Sequence, residues 1–589
     1  MNQPGAEIET ANVSTVTEAL HLRSVKQPDE TAYVFLRDGE TPDGSLTYRE
    51  LEARARTRGA ALVAAGLAAG DAAVLLYPSG LDFIQSLLGC MYARVAAAPV
   101  QVPTRRSGLE RVRRIADDAG TTVVLTTAEI KRDLEERFGT LPELAGLTLL
   151  DAESLAPAED LPVGQPRPDD IALLQYTSGS TGHPKGVMVS HANFLHNVAE
   201  TEQVWPSGPD GVVVNWLPLF HDMGMIFGVM LPLCSGVPAY LMEPAAFVRR
   251  PLRWLEAISR FRGTHAAAPS FAYELCVRAA EEAGSEALAE GLDLSSWRAA
   301  VNGAEPVRWR AVKSFTETFG PAGFAPEAMS PGYGLAENTL KATGSSPDRR
   351  PTVLWVSGPA LIEGHLELLE ADTDTAQPLV GAGLPAHPTR VLIVDPATLE
   401  PCPSGTVGEI WISGPCMARG YRGRADETRE TFHARPAGAG RSDSAPRYLR
   451  TGDLGFLHAD ELFVAGRLKD VIVRNGRNYY PQDLELSVEG AATGLHPNCA
   501  AAFSVDDGET ERLVVVVEAD GRVLRGTGED GLRERIRLAV HDGQRLQVDE
   551  VVVIRRGVLP RTTSGKVQRR ACRELYLNGA LKPAVAGRG

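Results

Sequence analysis

Ile171-Ala172-Leu173-Leu174-Gln175-Tyr176 runs without a break into Thr177-Ser178-Gly179-Ser180-Thr181-Gly182-His183-Pro184-Lys185-Gly186. The first six residues are apolar enough for a buried strand. The next ten mix glycine with hydroxyl residues, so successive backbone N–H groups can turn toward one point while the hydroxyls add donors. Lys185 contributes a mobile cation. A strand that ends in such a loop is suited to a polyphosphate. The loop is not a Walker A loop, which requires GxxxxGK followed by Ser or Thr; here Pro184 precedes the lysine and Gly186 follows it. The other reading is a flexible surface connection, and the strand before and Pro-Lys-Gly after argue against it.

Upstream of the loop, strands alternate with helices. Thr47-Tyr48-Arg49-Glu50 reads as a capping box opening a helix, with Leu51, Ala55, Leu62 and Val63 on one face. Asp71 introduces Ala72-Ala73-Val74-Leu75-Leu76, a run suited to a buried strand. A helix from Leu81 to Ala93, a run from Ala96 to Val100, a helix from Leu109 to Ala119 and a strand from Thr122 to Leu125 follow. This order implies an α/β fold with a parallel sheet covered by helices on both faces. Near the end, a strand from Leu513 to Glu518, a helix from Leu532 to His541 and a strand from Glu550 to Ile554 predict a compact α+β module. Pro436-Ala437-Gly438-Ala439-Gly440 reads as a surface loop, not a boundary.

The bulk properties set limits. A chain of 589 residues exceeds one ordinary domain. Its 43% hydrophobic and 23% charged content is that of a soluble globular protein. A net charge of −15 argues against nonspecific nucleic-acid binding, which depends on cationic contacts to phosphate. Cys90, Cys234, Cys276, Cys402, Cys416, Cys499 and Cys572 show no CxxC and no Cys/His ligand spacing. They predict reduced core thiols in a cytoplasmic protein, without a disulfide framework or a zinc site. The start, MNQPGAEIET, has no signal-peptide pattern. Met223 to Met242 is uncharged and about as long as a spanning helix, but Gly224, Gly228, Pro232, Gly236 and Pro238 interrupt it. It predicts a broken helix and strand in a large core, not a membrane span.

The segment TSGSTGHPKGV resembles the signature of the adenylate-forming (AMP-binding) superfamily, which includes acyl-CoA synthetases, peptide-synthetase adenylation domains, luciferases and fatty acyl-AMP ligases. Other family elements follow in order. Asn302-Gly303-Ala304-Glu305-Pro306 resembles the segment bordering the adenine, and Gly332-Tyr333-Gly334-Leu335-Ala336-Glu337 resembles the YGxxE motif. The Tyr333 ring can stack on a purine, and Glu337 offers hard oxygen to Mg²⁺. Tyr448-Leu449-Arg450-Thr451-Gly452-Asp453 matches the RTGD element, where Asp453 can accept from both ribose hydroxyls. By resemblance, Arg467 in Gly466-Arg467-Leu468-Lys469-Asp470 reaches ribose or phosphate, and Lys469 is the hinge. Pro560-Arg561-Thr562-Thr563-Ser564-Gly565-Lys566 resembles the loop of the catalytic lysine. A cation is needed there because the substrate carboxylate and the α-phosphate of ATP are both anionic as they meet. The resemblance spans roughly residues 45 to 575. It implies a large N-terminal domain of several subdomains over 1–468 and a small mobile domain over 469–589.

Within the superfamily the chain resembles the fatty acyl-AMP ligases. Asn215-Trp216-Leu217-Pro218-Leu219-Phe220-His221-Asp222-Met223-Gly224 is close to that branch's WLPxxHDMG segment, and Asn475-Gly476-Arg477-Asn478-Tyr479-Tyr480-Pro481 with Asp483 and Glu485 is close to its GRNYYPxDxE. His221 is assigned to the acyl-phosphate region, with turn capping as the alternative. An added segment over about 345–380 contains Thr352-Val353-Leu354-Trp355-Val356 and His365-Leu366-Glu367-Leu368-Leu369. In this branch such an insertion is associated with restricting the domain motion that CoA-dependent thioesterification needs. Leu379-Val380-Gly381-Ala382-Gly383 matches only approximately. Ala267-Ala268-Pro269-Ser270-Phe271 is a plausible wall of an acyl tunnel. The expected reaction uses ATP and Mg²⁺ to make acyl-AMP from a fatty acid. The acyl group then passes to the phosphopantetheine thiol of a separate holo acyl carrier protein, or of a polyketide or peptide synthase. Acyl-CoA ligases and amino-acid adenylation enzymes are the rival readings, followed by a nucleotide-binding regulator without turnover.

Overall fold

The computed structural model describes residues 13–151, 164–177, 184–284, 291–371, 373, 376–438, 446–474, 477–506, 511–544, 546–562 and 565–581. The expected capping box is present. The Thr47 hydroxyl accepts from the Glu50 N–H at 3.2 Å, and Glu50 accepts from the Thr47 N–H at 2.9 Å. The helix Tyr48–Ala64 that it opens packs on Leu81–Tyr92. The two cross where Gly59 meets Gly89: a Cβ on Gly59 would lie 2.9 Å from the Gly89 carbonyl oxygen. Only glycine allows that approach.

These helices cover a six-stranded sheet, in the order Thr148–Asp151, Val123–Thr126, Ala72–Leu76, Ala96–Val100, Ile171–Thr177, Lys185–Ser190. The first five strands are parallel, as the alternation implied. The sixth departs from that expectation: Lys185–Ser190 turns back antiparallel to Ile171–Thr177, with Thr177 opposite Lys185. The glycine-rich loop is therefore the connection of a hairpin at the sheet's edge. Ser178 to His183 lie outside the described residues, as do MNQPGAEIET, Ala439, Gly440, Asn475, Gly476, Thr563 and Ser564.

A second, nine-stranded sheet runs from Leu384–Pro385 through Met329–Gly334, Ala299–Asn302 and His265–Ala268 to Thr41–Thr47. One continuous apolar core joins it to the first sheet. The uncharged stretch after His221 lies inside that core. It comprises the helix Asp222–Met225, a π-helical turn Ile226–Met230, the helix Leu231–Ser235 and the strand Ala239–Met242. Among the described residues no helix is long and apolar enough to cross a membrane. All seven cysteines are free thiols, and only Cys402 is not fully buried.

Alternation of strands and helices does not describe the next region. Arg390–Val394, Gly408–Ser413, Leu449–His458 and Glu461–Arg467 form a wholly antiparallel sheet. The segment over 345–380 folds as a hairpin of Val353–Ser357 and Ala376–Val380, with the short helix Gly358–Ile362 between. Val356 and Leu361 bury against Phe456 and Phe463 of that sheet and against Tyr480. The second apolar run, 365–369, forms no strand; it turns away at Gly364 (φ 86°) and makes isolated bridges only.

Beyond Lys469 the chain builds a separate core. Ala500–Asp506, Glu511–Ala519 and Glu550–Arg555 form a three-stranded sheet, packed by Pro481–Glu489, Glu529–Gln544 and Arg569–Leu577. Leu484, Val515 and Ile536 meet inside it.

Candidate active site

A cavity of about 1530 Å³ opens where the two large sheets, the antiparallel sheet and the C-terminal module converge. At one end the hairpin brings Thr177 beside Lys185. The Lys185 ammonium pairs with the Glu427 carboxylate and sits 5.1 Å from the centre of the Tyr421 ring. The Tyr421 hydroxyl donates to Glu337 at 2.8 Å. Arg424 donates to Asp118 and Glu427, each at 3.1 Å, and Asp118 also accepts from the Tyr176 hydroxyl at 2.9 Å. A cationic, hydroxyl-bearing wall is thus braced by carboxylates. Of the loop residues read as phosphate ligands, Thr177 lines this wall. Ser178, Gly179, Ser180, Thr181 and Gly182 lie outside the described residues.

Glu337 lies in the short turn Ala336–Asn338. Burial pushes its carboxyl above the usual range, and the Tyr421 hydroxyl and Arg467 recover only part of that. A divalent cation would supply the missing compensation. Among the described residues no three His, Cys, Asp or Glu side chains cluster as a metal cage. One carboxylate still meets the usual demand of Mg²⁺, which takes most of its ligands from phosphates and water. The residues present fit that ion.

The opposite wall is built around Asp453. Its Oδ2 accepts from the Tyr333 hydroxyl at 2.7 Å, and its Oδ1 accepts from Arg467 Nε at 3.1 Å. The Thr451 hydroxyl accepts from the Asp453 N–H at 3.0 Å and donates to the Ile410 carbonyl at 2.7 Å, so this bulge in the strand Leu449–His458 is fixed from behind. Glu409, which carried no signal beyond being a lone acid in an apolar strand, organises the same bulge. It accepts from the Gly452 N–H (3.1 Å), Arg450 (2.8 Å) and the Trp411 indole (3.0 Å). A carboxylate has about four acceptor positions, so Asp453 keeps capacity for a ribose while bound to Tyr333 and Arg467.

Gly303, Ala304 and Glu305 face Gly332, Tyr333 and Gly334 across a narrow floor. A Cβ on Gly303 would meet the Gly332 carbonyl oxygen at 2.9 Å, and one on Gly334 would meet that of Leu340 at 1.9 Å. Ala304 has φ 66°, a left-handed conformation that costs a non-glycine residue about 1 kcal/mol or more. Glu305 is not a free ligand: it accepts from the Phe271 N–H at 2.9 Å and from the Asn498 amide at 3.2 Å.

His221 Nδ1 lies 2.6 Å from Asp222 Oδ1, which also accepts the Met223 N–H at 2.7 Å. Burial favours the protonated form of Asp222, yet His221, Lys566 and the Met223 N–H together hold its carboxyl below the usual range. Among the surrounding anions, Asp222 acts most strongly on the Lys566 ammonium. Lys566 arrives from the C-terminal module on a tight turn, its N–H donating to the Thr562 hydroxyl at 3.0 Å, with Gly565 at φ 85° against Phe271. Burial lowers the pKa of its ammonium, opposed by Asp222, Glu305 and Asp453. Lys469 is exposed in the turn Leu468–Asp470, next to Asp470, which accepts from Arg569 at 3.1 Å.

The AMP-binding enzyme family matches residues 20–422, and residues 469–585 match the AMP domain of Disco-interacting protein 2-like proteins. The chain is 41% identical over 96% of its own length, and of the relative's, to the medium-chain-fatty-acid–acyl-carrier-protein ligase JamA of Moorena producens. It is 36% identical to a long-chain-fatty-acid–AMP ligase of Mycobacterium marinum, covering 95% of this chain and 97% of that one. The chain belongs to the AMP-binding enzyme family, in its fatty acyl-AMP ligase branch. A crystal structure of the fatty acyl-adenylate ligase from Legionella pneumophila, in complex with acyl adenylate and pyrophosphate, superposes with a TM-score of 0.73 at 35% identity, covering 98% of each chain.

In this ligase the apolar part of the cavity lies where the sequence did not place it. Ala267 and Ala268 do not line it, because the strand His265–Ala268 is central in its sheet and covered on both faces, and Phe271, on the helix Ser270–Ala283, packs at Gly565 instead. Trp205, Phe227, Val301 and Leu340 line it instead.

Proposed function

We propose that this chain activates a fatty acid as its acyl-adenylate and passes the acyl group to the phosphopantetheine thiol of a separate holo acyl carrier protein. The observation that carries the reading is Lys566, delivered by the C-terminal module into a cavity shared with Asp222, Glu305 and Asp453. A substrate carboxylate oxygen attacks the α-phosphorus of ATP, the bond to the β-phosphate breaks, and pyrophosphate leaves. Lys566 offsets the anionic charge where the two anions meet. Glu337 would hold Mg²⁺, which would supply positive charge to offset that of the phosphates. Tyr333, Asp453 and Arg467 hold the nucleoside, Lys185 and Thr177 face the departing phosphates, and His221 lies by the acyl-phosphate. In the second half-reaction the carrier thiol sulfur attacks the acyl carbonyl carbon, and the bond to AMP breaks.

The apolar lining at Trp205, Phe227, Val301 and Leu340 supports an alkyl substrate, since each buried CH₂ contributes about 0.8 kcal/mol. It offers no anchor for an amino acid's α-ammonium. The name of the Moorena producens relative supports a carrier protein as acceptor. We place Lys469 as the hinge between a domain over 1–468 and one over 469–589, and the protein in the cytoplasm. The test is pyrophosphate release over carboxylic acids of increasing chain length, followed by addition of holo carrier protein or CoA. Release with fatty acids and thioester on the carrier is expected; efficient acyl-CoA formation would overturn the carrier assignment.

A further inference from the structure

Arg308 precedes the helix Trp309–Phe319, on the large side of the cavity. Its N–H donates to the Ser270 hydroxyl at 3.2 Å, which fixes its backbone to the nine-stranded sheet's crossover. Its guanidinium reaches across to the C-terminal module and donates to Glu489 at 2.8 Å and to the Asn498 side-chain oxygen at 2.5 Å. Glu489 in turn accepts the Asn498 N–H at 2.5 Å. The Asn498 amide donates to Glu305 at 3.2 Å, and Glu305 accepts the Phe271 N–H at 2.9 Å. The result is a closed ring, with Phe271, Glu305 and Arg308 on one side and Glu489 and Asn498 on the other. Asn498 holds φ 57°, so the module's loop is shaped to present it.

The Arg308 and Glu489 side chains are each only 13% exposed. A buried ion pair is poor value as plain adhesion, because desolvating both charges offsets most of their attraction. What it supplies is geometry: a planar guanidinium fork is satisfied in one orientation and unsatisfied in neighbouring ones. The orientation it selects is the one in which Lys566 lies inside the cavity. Turning the module away from the cavity would break both of Arg308's hydrogen bonds to it together, leaving the guanidinium with Glu274 at 3.7 Å on its own side and Glu489 without its cation.

We infer that Arg308 is a positioning residue whose fork to Glu489 and Asn498 holds the C-terminal module in the orientation that makes the adenylate. It touches none of the reacting atoms and acts through Lys566. The inference rests on the two half-reactions proposed above. It predicts that breaking the fork harms the first half-reaction and spares the second, which does not need Lys566 in place.

The test uses the full chain with Arg308→Gln, Glu489→Gln and the exchanged pair Arg308→Glu/Glu489→Arg. Two rates are measured for each: pyrophosphate release with fatty acid and ATP, and transfer to holo carrier protein from synthetic acyl-AMP. Each single variant is expected to lose roughly 10- to 100-fold in the first rate, as for one charged hydrogen bond. The second rate should be unchanged or faster, and the exchanged pair should recover part of the first. Equal losses in both rates, or no loss in the first, would overturn the inference, and Glu489→Gln decides the matter if Arg308→Gln does not fold. Failure of the unaltered protein to make acyl-AMP would instead remove the proposed function.

Discussion

Tyr333 and Asp453 are 120 residues apart, yet the tyrosine hydroxyl donates to the carboxylate at 2.7 Å. Tyr333 lies near the end of the strand Met329–Gly334 and Asp453 within the strand Leu449–His458, so the bond ties two walls of the cavity together. Tyr333→Phe keeps the ring and removes this bond, leaving Asp453 with Arg467 alone. The KM for ATP should rise by roughly 3- to 10-fold with kcat little changed, the scale of one hydrogen bond between a hydroxyl and a carboxylate. An initial-rate study of pyrophosphate release measures it. A drop in kcat at constant KM would mean that the bond matters in the transition state instead.

Lys566 should separate binding from chemistry. Its ammonium has Asp222, Glu305 and Asp453 as surrounding anions, so removing it strands negative charge where the substrate's own anions must meet. Lys566→Ala should lower adenylate formation by about 10²- to 10³-fold, the usual cost of a preorganised charge at a transition state. Nucleotide affinity by calorimetry should change little. An unaltered rate would take Lys566 out of the mechanism.

The parts of this site that were legible in the sequence are those carried by contiguous chemistry. Thr177 to Gly186, Gly332 to Glu337, Arg450 to Asp453 and the turn at Lys566 each announce themselves, and the structure brings Thr177, Lys185, Tyr333, Glu337, Asp453 and Lys566 around one cavity. Strands between helices were equally plain, because Ala72–Leu76 and Ala96–Val100 are short apolar runs buried on both faces. What failed to show depends on pairing across long separations. Glu409 is ordinary until Gly452 and Arg450 lie beside it. The antiparallel return of Lys185–Ser190 is set by its pairing with Ile171–Thr177, which composition does not reveal. Ala267 and Ala268 were apolar enough for a tunnel wall, but apolar residues in a central strand are consumed by the core.

Glu337 predicts a pH-dependent demand for metal. Burial, only partly opposed by Tyr421, raises its pKa, so the ionised form that ligates a cation is lost at a higher pH than for an exposed carboxylate. The Mg²⁺ concentration giving half-maximal pyrophosphate release should therefore climb as pH falls toward and through that raised value. Glu337→Gln should need more Mg²⁺ at every pH and lose this pH dependence. A parallel pH dependence in both proteins would place the titrating group elsewhere.

His191 and His265 predict how stability responds to acid. The Val16 N–H donates to His191 Nδ1 at 3.2 Å, and His265 lies between the Thr264 hydroxyl at 2.8 Å and the Trp205 carbonyl at 3.2 Å. Burial pushes both rings down to about 4, outweighing Asp170 and Glu18 for His191. The folded rings thus bind fewer protons than unfolded ones, whose pKa is near 6.5. Their contribution is complete above about 6.5 and is lost as pH falls toward 4, about 2 kcal/mol per ring between pH 7.5 and 5. Asp483 and Glu489 act oppositely in the same window, because burial pushes each carboxyl up to about 7, so the folded state holds their protons and gains as pH falls. The net slope for the unaltered protein is a difference between these pairs. Comparing denaturant midpoints of the unaltered protein and His265→Gln at pH 7.5 and pH 5 isolates one ring. The variant should be less stable at pH 7.5, and the gap should shrink by about 2 kcal/mol at pH 5. A gap that does not change with pH would mean that His265 takes up its proton as readily in the folded as in the unfolded state.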